Sequence, residues 1–371
     1  MEYKAVLEES VMQKGVAVTA GSAVLEGLIA PCDAEVVVRL CSAGVKIVGR
    51  VRTSEFGIGG LFGCDASERD AGVAGLLDGA LLTEVIDDSE KVSFVAENTG
   101  NRSGYSAVKS VAVTSAVDAV ASGFADFALC NDFTGSIGRA AGAAGLCYLQ
   151  PSYGSVSRYG LVPSVSSIDQ IGVLCKTPKV GIDVLDVIAG YDPKDGIMMP
   201  DNRTEEPSPC SRTDEPSPCS APVFRDGEAG TCFVPCFPCL QVLQVLCCGE
   251  FSNNINRYDG IKFGHRAKEY SGLGELYKKS RTEGFGEDVK LAAMIGAVVL
   301  DQSEGERYYD KAMKIRRVMR DAFEFDKYDV IKSCCPTLSR MCGLPALTTA
   351  ECTYIAGPGR EDVLKVIANE L

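Results

Sequence analysis

The chain has no tryptophan and a single histidine, His265, in the polar stretch GIKFGHRAKEY. With one imidazole, His-based triads and His-rich zinc sites are all but excluded. Positive charge is also short: 37 Lys and Arg face 50 Asp and Glu, for a net charge of −13 and a sequence pI near 4.8. Nucleic-acid surfaces neutralise phosphates with clustered Lys and Arg, so autonomous nucleic-acid binding is not expected. The N-terminal MEYKAVLEES lacks a basic region followed by an apolar core, and no run has the length of a clean membrane span. The longest candidate, Cys232 to Cys248, is interrupted by Pro235, Pro238, Gln241 and Gln244. These absences predict a cytoplasmic chain with no membrane contact.

What is there suits a packed interior. At 371 residues and 46% apolar content, the chain can build one large α/β domain or two smaller ones. Its seventeen cysteines, without an export signal, read as reduced thiols serving as small buried apolar residues. One spacing differs: Cys232, Cys236 and Cys239 could hold an iron–sulfur cluster. The prolines between them, and the lack of a glycine-rich cofactor loop nearby, argue against a metal there. Just upstream, EPSPCSRTD and EPSPCSAPV form a nine-residue repeat starting at Glu206 and Glu215. Pro, Ser and charge at this density predict an exposed, polyproline-like linker over 199–230.

The stretch from Asn131 to Leu161 carries the chemistry. Phe127 to Leu129 is apolar in the manner of a buried strand, and small residues from Ile137 to Gly145 run at helical density. That spells strand, tight turn and helix. Ser136 would then stand at a helix start, where outward N–H groups suit an oxyanion. A Gly-Ser before a helix can equally be a plain cap.

The wording here, NDFTGSIGRAAGAAGLCYLQPSYGSVSRYGL, resembles the amidase signature family, and within it the A subunits of glutamyl-tRNA(Gln) amidotransferases, which carry SDTGGSIRQPA and GLKPTYGRVSRYGL. The likeness continues at Ser167–Gly172, Ile188–Asp195, Asn253–Gly260 and Ser280–Gly286. It implies an α/β amidase-signature fold: a mixed central sheet with helices on both faces, three layers in all, here without the family's N-terminal helical region. Residues 1–198 would form the first part of the core, 199–230 the linker, and 231–371 a C-terminal part packing on the same core.

The resemblance also implies site residues. Ser136 takes the nucleophile position, and Asn131, Asp132, Phe133, Thr134 and Gly135 form the oxyanion and substrate loop. The family's bridging serine falls on Ala112, and its base lysine, in IKDN, falls on Glu8. Ser115 is one helical turn from Ala112, and Lys4 and Lys14 read as solvated surface lysines. The arginine that would hold glutamine's carboxylate falls on Ala292, and the family's substrate-aspartate loop is compressed into Lys332–Cys342. No metal or other cofactor is implied for this chain; ATP would be used by a partner protein, and any tRNA contact would need a basic partner. The leading expectation is a catalytically impaired relative that docks B- or C-type subunits or is a decaying copy. The alternative is a working amidotransferase component that hydrolyses glutamine at Ser136 and passes ammonia to a partner.

Overall fold

A computed structural model describes residues 2–59, 61–62, 115–198, 237–303, 305–323, 325 and 328–371. Ala112, the 199–230 linker, Cys232 and Cys236 lie outside the described residues, as do the helix- and strand-compatible runs expected at 73–82 and 92–96.

Eight strands make one mixed sheet: β1 (Lys4–Glu8), β2 (Lys46–Val51), β3 (Phe127–Asn131), β4 (Cys147–Gln150), β5 (Ile171–Cys175), β6 (Val330–Ser333), β7 (Ala346–Thr348) and β8 (Thr353–Ala356). Their order is β2-β1-β3-β5-β4-β7-β8-β6. β1 runs parallel to both β2 and β3, and every other pairing is antiparallel.

Why the strands read as continuous apolar runs is visible in their alternation. On β3, Phe127 and Leu129 face one apolar cluster while Ala128 and Cys130 face another; on β1, Ala5 and Leu7 oppose Val6. Both faces are covered, so the middle of β1, β3 and β5 is apolar on both sides, and polar residues such as Glu8 and Asn131 come at strand ends. The first cluster is closed by helices α1 (Glu35–Ser42), α4 (Pro178–Ile188) and α10 (Glu361–Glu370) through Leu40, Leu185 and Leu364. The opposite face carries α2 (Ala116–Ala121) and α3 (Ser136–Ala143), with Ala119 and Ala141 inward. The three-layer expectation holds.

Beyond β5 the chain adds α5 (Phe237–Asn254), α6 (Leu273–Gly284), α7 (Glu287–Val299), α8 (Tyr309–Asp321) and α9 (Pro336–Cys342). α5 has no single apolar face because it separates two clusters: Leu243, Cys247 and Phe251 face one, Cys239, Val242 and Leu246 the other. Among the described residues, no helix is long and apolar enough to cross a membrane. Element ends shift by a few residues from expectation, and the segment expected as a compressed loop, Lys332–Cys342, contains the short helix α9.

Candidate active site

β1 lies between its two parallel neighbours, so the carboxyl ends of β1, β2 and β3 lie side by side where connections leave in opposite directions. Such a switch point is where open α/β sheets place ligands. Glu8 ends β1, Asn131 ends β3, and the loop from Asn131 leads into α3.

Gly135 is the cap residue of α3, left-handed at φ 83°, and Ser136 is the first helical residue, half-buried. A Cβ on Gly135 would lie 2.9 Å from the Thr337 nitrogen and 3.2 Å from its Cα, so α9 is seated directly on the loop. Thr337 Oγ1 donates to the Thr134 carbonyl at 2.8 Å. The Ser136 Oγ partner is Thr134 Oγ1, at 2.9 Å, and the Ser136 N–H donates back to Thr134 Oγ1 at 3.3 Å. No lysine among the described residues hydrogen-bonds to Ser136. The N–H groups of Phe133, Thr134 and Gly135 have no acceptor among the described residues, whereas those of Ile137 and Gly138 donate to the Asp132 carboxylate at 3.1 and 2.8 Å. Asp132 thus caps α3 and complements its dipole.

Asp132 is itself held. Arg340 Nη2 lies 3.2 Å from its Oδ2, with both side chains almost entirely out of solvent, at 1% and 0% exposed. The guanidinium stacks 4.9 Å over the Tyr148 ring, and a Cβ on Gly138 would come within 2.8 Å of it, so only glycine leaves room. Neither Arg340 nor Thr337 was legible as a site residue. The available signal was a charge inside the apolar run LSRMCGL, since a cation there must find a buried partner.

Glu8 is fully enclosed, and its oxygens point at backbone rather than at Ser136. Oε2 accepts the Asn131 N–H at 2.7 Å and Oε1 the Ser10 hydroxyl at 3.0 Å, with Thr53 adding a further hydroxyl. Burial pushes this carboxyl up to about 7; its three donors pull the other way, and the nearby Asp132 charge adds to the rise. Asn131 continues the chain of contacts. Its Nδ2 donates to Asp169 Oδ1 at 2.9 Å, while Asp169 Oδ2 takes the N–H groups of Ser164 and Val165. Burial raises the Asp169 carboxyl as well.

The other expected positions are placed plainly. Lys4 and Lys14 are exposed. Ser115 caps α2, its Oγ accepting the Asp118 N–H at 3.1 Å and donating to the Asp118 carboxylate. Ala292 is buried in an apolar cluster with Phe56 and Phe251. His265 pairs with Glu283 at 2.7 Å. Cys239 is buried, and no group of three His, Cys, Asp or Glu among the described residues could hold a metal ion.

Comparison with known proteins bears on this geometry. The family model described as Amidase matches residues 116–215 and 236–354. The A subunit of glutamyl-tRNA(Gln) amidotransferase from Trichodesmium erythraeum is 32% identical over 360 residues, covering 89% of this chain and 68% of that protein. Its namesake from Lachnoclostridium phytofermentans is 31% identical, covering 88% and 65%. The chain therefore spans about two thirds of the length of the curated relatives it matches. Among solved structures, the same amidotransferase component from Thermotoga maritima aligns with a TM-score of 0.53 at 22% identity, covering 98% of this chain and 81% of that one. The peptide amidase from Stenotrophomonas maltophilia aligns at 0.60 and 19%, covering 99% and 80%. These two structures speak for a shared fold. With a family match over more than half its length and a serine held at the start of α3 behind a left-handed glycine, the chain belongs to the amidase signature family.

Proposed function

We propose that this chain is a cytoplasmic relative of the glutamyl-tRNA(Gln) amidotransferase A subunits whose own hydrolytic chemistry is impaired, and that it serves by holding a B- or C-type subunit. One observation carries the reading. Where the resemblance implies a base lysine, the Glu8 carboxyl accepts from Asn131 N–H at 2.7 Å and so is committed to the backbone of the loop. Ser136 Oγ meets another hydroxyl, that of Thr134, with no proton acceptor behind it among the described residues. A serine oxygen without a base is a poor nucleophile. Apolar packing around Ala292 gives no donor for a substrate carboxylate. No cofactor enters this reading; ATP would be used by a partner protein.

A working glutamine-hydrolysing amidotransferase component, with Ser136 as nucleophile and ammonia passed to a partner, is favoured by a different observation. The N–H groups of Phe133, Thr134 and Gly135 have no acceptor among the described residues, as an oxyanion would require. The two readings separate in one assay: ammonia release from glutamine by the purified chain, alone and with B- and C-type subunits, beside Ser136→Ala. The expected result is capture of a B- or C-type subunit with no Ser136-dependent ammonia. Ammonia release that disappears in Ser136→Ala overturns the impaired reading.

A further inference from the structure

Several stretches that keep the family's wording also meet at a second place. Arg158 and Tyr159 from SRYG, Asp169 from SIDQIG, Lys194 and Asp195 from YDPKD, and Arg257 from NINRYDG line one cleft of about 390 Å³. That is within the usual size of small-molecule sites.

The charges lining it are unequally engaged. Asp195 accepts from the Arg158 backbone N–H and, through both oxygens, from its guanidinium at 3.1 and 3.0 Å. Asp169 is saturated by Asn131, Ser164 and Val165 on its inner side. Lys194 has Glu35 at 2.9 Å and the Tyr159 ring at 4.8 Å, yet its side chain is 49% exposed. Arg257 is different: Nε and Nη2 donate to the neutral Asn254 carbonyl and amide oxygens, and no carboxylate pairs with it among the described residues. Both lining carboxylates thus have their donors already, and Arg257 is the lining cation that meets only neutral partners among the described residues.

We propose that this cleft binds a compact oxyanion, the carboxylate or phosphate group of a small molecule, with Arg257 and Lys194 as its cationic contacts against the Tyr159 wall. Lys194, half exposed, and Arg257, with only neutral partners among the described residues, are the donors that an anion entering the cleft would meet.

The test is calorimetric titration of the full chain with inorganic phosphate and, separately, with glutarate, at fixed ionic strength. The expected result is saturable binding of one of them, the preferred anion telling phosphate from carboxylate. Arg257→Gln should weaken it about tenfold or more, and added salt should weaken it further. The proposal is overturned if neither anion binds saturably, or if a folded Arg257→Gln binds as the parent does. Should Arg257→Gln fail to fold, Lys194→Gln decides, because that side chain is half exposed: a several-fold loss supports the cleft, and unchanged affinity overturns it. No hydrolysis is measured, so the outcome is separate from the fate of the proposed function.

Discussion

The crevice at Ser136 and the cleft at Arg257 use charge in opposite ways. Around Ser136, Glu8, Asp132, Asp169 and Arg340 are all buried; the three carboxylates accept from loop N–H groups and nearby side chains, and Arg340 donates to Asp132. Around Arg257, the cations reach solvent and one has no counter-charge among the described residues. Buried acids satisfied by backbone donors fix a single loop conformation and leave little for a substrate. Half-exposed cations over occupied carboxylates hold their elements loosely and keep affinity in reserve.

Breaking the Ser136 side should therefore be the more destructive change. Arg340→Ala removes the cation from beside buried Asp132, and removing one partner of a buried pair costs about 3–5 kcal/mol. Urea unfolding measures it. A loss below about 1 kcal/mol would mean that Asp132 is carried by the α3 N–H groups alone and that the two sites are not held so differently.

Glu8 sharpens the contrast through pH. Its carboxyl moves from an ordinary 4.5 to about 7, so the folded chain holds this proton more tightly than the unfolded one. The resulting stabilisation is fully present below 4.5 and is lost as pH rises through 7, a swing of about 3 kcal/mol. Glu8→Gln stays neutral throughout. It should match the parent in urea midpoint at pH 4 and exceed it at pH 8; equal midpoints at both would show that the ionised carboxylate is comfortably solvated. No comparable swing is expected from Arg158, whose charge persists across that range.

How much of this was legible depends on whether each element had one neighbour or two. The strand, turn and helix at Ser136 were readable from period and wording. α5 was not. Serving two clusters, it shows no single apolar face, and its flanking prolines read as interruption of a span rather than as a helix start. β7, β8 and α9 are three to seven residues long, too short for periodicity to register. At the site, Ser136, Glu8 and the 131–135 loop could be named because the resemblance gave each a counterpart position, and the structure brings Glu8 against that loop through the Asn131 N–H. Thr337 and Arg340 were missed because they reach the loop from about 200 residues away in sequence, through a packing contact no local pattern records.

The smallest effect is expected at the cleft, where a charge-conserving change separates stability from binding. Arg158 forks onto Asp195 through Nε and Nη2, and its Nη1 donates to the Tyr153 hydroxyl and the Ser166 carbonyl. Arg158→Lys keeps the positive charge but loses the planar fork, and should cost about 1–2 kcal/mol in urea unfolding. If Arg257 is the anion's contact, this variant should bind phosphate or glutarate within a few fold of the parent, while Arg257→Gln loses binding with little loss of stability. The reverse pattern would make Arg158 the anion's contact in its place.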